Sequence, residues 1–118
     1  MAHLTVSFFV AFIASSLSLS ARAEALPCNE VVQMVVPCVP YLTDRAAVPF
    51  GPCCNEVVAL NRTASTRQDR VTICRCLEGA APRFPRADFK RAAALPRLCG
   101  VVLHNITISP NLDCSSLP

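Results

Sequence analysis

The sequence predicts an all-α, disulfide-stapled domain, a four-helix bundle with an irregular C-terminal tail. Three observations carry this reading. From Leu26 onward the chain holds all eight of its cysteines in 93 residues. Apolar residues recur at helical spacing in four stretches. The same region offers few large core residues: Tyr41, Phe50, Phe84 and Phe89, and no Trp. A domain of this size has a poor surface-to-volume ratio, and covalent staples are the usual remedy.

The first residues read as a leader. No charge falls between Leu4 and Ser20, and small residues follow at Ala21-Arg22-Ala23 and Ala23-Glu24-Ala25. An apolar run before an A-x-A site is the pattern of a secretory signal peptide, with cleavage after Ala23 or Ala25. The alternative is a membrane anchor, but the uncharged run is short for a span and carries a cleavage-type flank. Residues 1–25 are therefore assigned to the leader and 26–118 to one domain. The domain has ten Lys+Arg against seven Asp+Glu, a charge of +3. That mild excess favours an anionic surface, and without a basic run interleaved with aromatics it gives no reason to expect nucleic acid.

The cysteines admit three uses. Zinc sites take cysteines two to four residues apart, often with histidine. Here Cys53 and Cys54 are adjacent, Cys74 and Cys76 are separated by one residue, and His104 is the domain's one histidine. The C-x-x-C of a redox site is absent. An even count in a short secreted chain is the mark of a disulfide framework, so no metal or cofactor is expected. Each closed loop would contribute roughly 3–4 kcal/mol in the chain-entropy model. On a helix, adjacent Cys53 and Cys54 point about 100° apart and can tie one helix to two neighbours. Spacing alone does not choose the pairing.

In the first helix Cys28, Val31, Val32, Val35, Cys38, Val39 and Leu42 share a face. Pro37 and Pro40 should bend or end it, because proline lacks an N–H and crowds the preceding turn. Thr43 to Gly51 is a loop. The second helix starts near Pro52, carries Val57, Val58 and Leu60, and fades near Asn61. Ser65 with Gln68, or Thr66 with Asp69, can cap the third, which carries Val71, Ile73, Cys74, Cys76 and Leu77 and stops at Gly79. Ala80 to Pro85 is a loop with two prolines. The fourth helix runs from about Arg86 to Leu95, before Pro96. Gly100 to Pro118 lacks a helical period and reads as a tail laid over the helices and pinned by Cys114.

The cysteine order is Cys28, nine residues, Cys38, fourteen, Cys53-Cys54, nineteen, Cys74-x-Cys76, twenty-two, Cys99, fourteen, Cys114. With PCVPYLT (37–43), TRQDR (66–70), CRCL (74–77), LPRLCGV (95–101) and ITIS (106–109), this frame resembles the plant non-specific lipid-transfer proteins, type 1 branch. The resemblance implies four helices around a hydrophobic tunnel that holds a fatty acid, lysolipid or phospholipid acyl chain. It implies a secreted monomer of the extracellular space or cell wall, in transient contact with membrane surfaces and without catalytic function. The hydrophilic Arg75 within C-x-C supports the family pairing Cys28–Cys76, Cys38–Cys53, Cys54–Cys99 and Cys74–Cys114.

TRQDR is similar to the family's T-x-x-D-R motif. The resemblance makes Arg70 the partner of the lipid head group, since a guanidinium gives a carboxylate or phosphate two parallel hydrogen bonds. It has Asp69 position that mouth or cap the helix. The family's P-Y-x-I-S motif is altered here to Asn105-Ile106-Thr107-Ile108-Ser109, so its tyrosine is replaced by Ile106. Candidate wall residues are Val35, Val57, Leu60, Leu77, Ala92, Leu95, Val101, Leu103, Ile106 and Ile108; each also suits ordinary core packing.

Two rival functions remain in view. A membrane-active defence protein would work through Arg86, Lys90, Arg91 and Arg97 on anionic lipid. An α-amylase/trypsin-inhibitor-like protein has a related cysteine order, with other spacings expected. His104 is a lone histidine with no G-x-S-x-G, too little for a hydrolase. Asn61-Arg62-Thr63 and Asn105-Ile106-Thr107 are glycosylation sequons. A glycan at Asn105 would crowd the implied tunnel mouth, which favours Asn61.

Overall fold

Two prolines break the first helix where the sequence places them. In the computed structural model, which describes residues 26–118, α1 (Cys28–Val35) gives way to a 3-10 turn (Val36–Cys38) holding Pro37. A short α2 (Val39–Leu42) then starts with Pro40 in its first turn, where the missing N–H costs nothing. The expected leader and its cleavage sites lie outside the described residues.

α3 (Gly51–Thr63) has Pro52 in its first turn and runs two residues past Asn61. α4 (Arg67–Ala80) opens on a capping box. Thr66 Oγ1 accepts from Asp69 N at 3.0 Å, and Asp69 Oδ2 accepts from Thr66 N at 3.3 Å. These two bonds satisfy orphan donors at the helix start and favour the acid near the positive end of the dipole. A 3-10 turn (Ala81–Arg83) continues α4 into the loop before α5.

α5 (Phe89–Leu98) corrects the expected Arg86–Leu95 helix at both ends. Asp88 caps it by accepting from Lys90 N at 2.8 Å, so Arg86 and Ala87 stay outside. Pro96 lies inside its last turn. The helix ends instead at Gly100, whose φ of 79° suits only glycine well. There Gly100 N donates to Arg97 O and Val101 N to Pro96 O, the paired bonds of a Schellman turn.

Among the described residues the four main helices, the first of them broken, are joined by four disulfides. Cys28–Cys76, Cys38–Cys53, Cys54–Cys99 and Cys74–Cys114 close loops of 48, 15, 45 and 40 residues. Cys53 ties α3 to the turn after α1, and Cys54 ties it to the end of α5. The most deeply buried side chains are Val31, Cys38 and Cys53, so the centre of the core is largely a cystine. Tyr41 and Leu95 pack on it, with Leu42, Val57 and Cys99 around them.

Arg91 fastens α5 to the first helix. Its Nη1 donates to Tyr41 O and Ala46 O, both at 2.9 Å, and its Nη2 to Asp44 Oδ1 at 2.6 Å. Its guanidinium also lies over the Tyr41 ring, 4.9 Å from the centroid. This removes Arg91 from the cationic face assigned to membrane attack: its charge is spent inward, while Arg86, Lys90 and Arg97 remain exposed. The Asp44 side chain is 81% exposed, so that ion pair is worth little. The carbonyls matter more, because truncation leaves Ala46 O without a partner and Tyr41 O with only the longer bond from Asp44 N at 3.3 Å. Arg91→Ala is expected to lower unfolding stability by about 2 kcal/mol, read as a shift in the urea midpoint at constant slope. Arg91→Lys should recover only part of it, since a point charge cannot bond three acceptors in one plane.

The tail, residues 100–118, contains no strand and one 3-10 turn (Cys114–Ser116). Val101, Cys114 and Leu117 are its buried anchors. Arg67 grips it from α4, with Nε donating to Leu117 O at 3.0 Å and Nη2 to Ser115 O. Asp113 caps the 3-10 turn by accepting from Ser115 N at 3.0 Å and Ser115 Oγ at 2.6 Å. The hydroxyl, then the amide, hold its carboxyl below the usual aspartate range. A lowered pKa means the cap is fully made above about pH 4 and is lost as pH falls through the lower folded value. Amide exchange at Ser115, corrected for its intrinsic pH dependence, is expected to lose protection only in that acid window.

Candidate functional site

Staples near the centre of the core leave the helices apart elsewhere, and there the structure holds a cavity of about 500 Å³. Native interiors rarely contain voids larger than a water molecule. This one is in the size range of a ligand pocket. The four closed loops restrain the unfolded chain by roughly 3–4 kcal/mol each in the chain-entropy model, which helps offset the packing that such a hollow forgoes.

Every main helix contributes to the wall. Val35, Val39 and Leu42 come from the broken first helix, Val57 and Leu60 from α3, Ile73 and Leu77 from α4, and Ala92 and Leu95 from α5. The tail closes the remaining side with Val101, Leu103, Ile106 and Ile108. All ten apolar residues singled out in the sequence border this one cavity. For the six on helices, periodicity marks only an inward face, and the structure shows that inward here means toward a hollow.

Sequence reasoning left out several wall residues. Phe84 and Phe89 flank the loop into α5, Ile73 sits one turn before Leu77, and Leu112 and Leu117 come from the end of the tail. The i, i+4 spacing of Ile73 and Leu77 was available as a signal. Nothing local marked Phe84 or Leu112, because non-helical chain carries no period to read.

Arg70 is the one arginine on the wall. Its Nε donates to Pro118 O at 2.8 Å and its Nη1 to Ala64 O at 3.0 Å. It therefore links the end of the tail to the turn between α3 and α4 at the edge of the cavity. Asp69 does not line the cavity. Its carboxylate is turned to the helix start, where Thr66 N and Ser65 Oγ both donate to it, so of its two expected roles only capping remains. Thr43, Asn61, Glu78, Asp88 and Ser109 supply the other polar edges. His104 is exposed on the tail.

A stapled helical shell around an apolar hollow, with a guanidinium at its edge, defines a small carrier of amphiphilic molecules. Residues 28–114 match the model of the protease inhibitor/seed storage/LTP family, and the chain belongs to that family, in its non-specific lipid-transfer branch. It is 44% identical over 96 residues to non-specific lipid-transfer protein 2 of Solanum pennellii, covering 81% of this chain and 82% of the relative. Two solved structures superpose well. Barley non-specific lipid transfer protein 1, in complex with lysophosphatidylcholine, is 36% identical with a TM-score of 0.72, over 79% of this chain and all of that one. The wheat protein, complexed with two molecules of phospholipid, is 36% identical with a TM-score of 0.70, over 78% of this chain and all of that one.

Proposed function

We propose that this protein is a secreted carrier that buries the acyl chain of fatty acids, lysolipids or phospholipids in its cavity and moves them between membranes or to the cell wall. It performs no catalysis. The observation that carries this reading is the cavity itself, about 500 Å³ with an aliphatic wall drawn from every main helix and the tail. Each methylene moved from water into such a wall gains about 0.8 kcal/mol. Relative to a bilayer the gain is near zero, because lipid tails are equally apolar. A lipid is thus held against escape into water yet released freely at a membrane, which is what a shuttle requires. The barley and wheat structures with bound lipids support the same cargo class.

Arg70 holds the polar end. Two of its donors already hold backbone oxygens, which fix the guanidinium in place and leave its outer edge for a carboxylate or phosphate. Arg86, Lys90 and Arg97 favour approach to anionic membranes.

The test is titration of the oxidised domain with a fluorescent fatty acid. Saturation near one or two lipids per chain is expected, with binding lost on reduction. Arg70→Ala should weaken a fatty acid about 5-fold more than the matching fatty alcohol, about 1 kcal/mol; the alcohol reads the loosened tail and the difference reads the head group. No saturable binding by a correctly oxidised chain would overturn the reading.

A further inference from the structure

The irregular stretch from Leu103 to Ile108 has two unlike faces. Leu103, Ile106 and Ile108 line the cavity, whereas Asn105 and Thr107 are exposed. The stretch belongs to no helix or strand, and Asn105 takes a φ of 59°, a left-handed turn that asparagine tolerates. The amide of Asn105 and the hydroxyl of Thr107 thus both face solvent, on irregular chain, as a sequon must when a transferase engages it.

The other sequon is presented differently. Asn61 and Thr63 lie in the last turn of α3, where residues two apart point about 200° from each other. The Thr63 hydroxyl donates back to Ala59 O at 3.0 Å and Leu60 O at 2.9 Å. Amide and hydroxyl are therefore on opposite sides, and the helix is held by the neighbouring bridges of Cys53 and Cys54.

We infer that Asn105 is an N-glycosylation site and Asn61 is not, the reverse of the order the sequence suggested. The inference rests on the leader delivering the chain to the secretory pathway. The co-reactant is a lipid-diphosphate-linked oligosaccharide. Asn105 Nδ2 forms a bond to the anomeric carbon as the bond from that carbon to the diphosphate oxygen breaks. The amide gives up one proton to the transferase, and the lipid diphosphate leaves with the bonding electron pair. Since Ile106 and Ile108 point inward, the glycan stands on the outer face of the cavity wall and leaves the hollow free.

The experiment expresses the full chain in plant secretory cells, once with its own leader and once behind a strong heterologous one. The secreted protein is measured by intact mass before and after a peptide-N-glycanase active on plant glycans. One glycan is expected, with glycanase leaving an aspartate at position 105. Asn105→Gln and Thr107→Ala should abolish it, while Thr107→Ser and Asn61→Gln keep it. A secreted chain without glycan, or one whose glycan survives Asn105→Gln, would overturn the inference. Lipid stoichiometry is expected to be the same before and after glycanase; a change would overturn the outward placement. The mass readout is independent of cargo, so its failure leaves the carrier reading untouched.

Discussion

Ala92→Trp is expected to weaken acyl-chain binding about 100-fold while leaving the helices and bridges intact. Ala92 and Ala93 are neighbours on α5, but Ala92 lines the cavity and Ala93 is exposed. An indole at position 92 would occupy the space of about three or four methylenes. At about 0.8 kcal/mol each that is about 3 kcal/mol, or two decades in affinity. Overpacking usually costs stability because a full core must move aside. Here the hollow receives the ring, so the melting temperature should hold or rise. Ala93→Trp is the control, with the same chemistry one residue away and no path inward. The measurement is the fluorescent fatty-acid titration with circular dichroism on both variants. If the two bind alike, the cavity is not where the lipid goes.

Removing the Cys38–Cys53 bridge should cost about 5 kcal/mol, more than the roughly 4 kcal/mol for removing Cys28–Cys76. Two effects oppose each other in this comparison. Loop entropy favours the larger loop: 48 residues against 15 is worth about 1 kcal/mol more for Cys28–Cys76. Burial favours the smaller, since Cys38 and Cys53 are fully buried at the centre of the core, whereas Cys28 is exposed. Deleting two buried sulfurs forfeits about 2 kcal/mol of packing, and burial wins. Cys38→Ala/Cys53→Ala and Cys28→Ala/Cys76→Ala, each compared by urea unfolding, decide the matter. A greater loss in the Cys28/Cys76 pair would mean that the bridges act on the unfolded chain alone and not as core.

The parts of the fold written in local chemistry could be read from the sequence. Pro37 and Pro40 break the first helix, Thr66 with Asp69 starts α4, and the Val and Leu periods mark inward faces. The sequence alone ends the fourth helix too early, because Pro96 reads as a stop. In the structure the stop is Gly100, and a proline in the last turn loses a single bond. The role of Arg91 is illegible in the sequence for a different reason. Its acceptors at Tyr41, Asp44 and Ala46 lie 45–50 residues away, and no local pattern encodes a bond to a distant carbonyl. The wall illustrates the same limit: Leu77 and Leu95 could be named, but packed core and hollow use the same residues. Only the assembled helices show the gap between them.

The grip on the tail has a consequence for how this chain can change. Arg67 and Arg70 hold the carbonyl oxygens of Ser115, Leu117 and Pro118. A backbone oxygen is present whatever the side chain, so these arginines read position and ignore identity. Leu103, Ile106, Ile108 and Leu112, meanwhile, face the cavity. Fastening and lining are thus separate tasks on one segment. The tail behaves as an exchangeable panel: its inner surface can be rewritten for a new lipid while the fixings that seat it stay as they are.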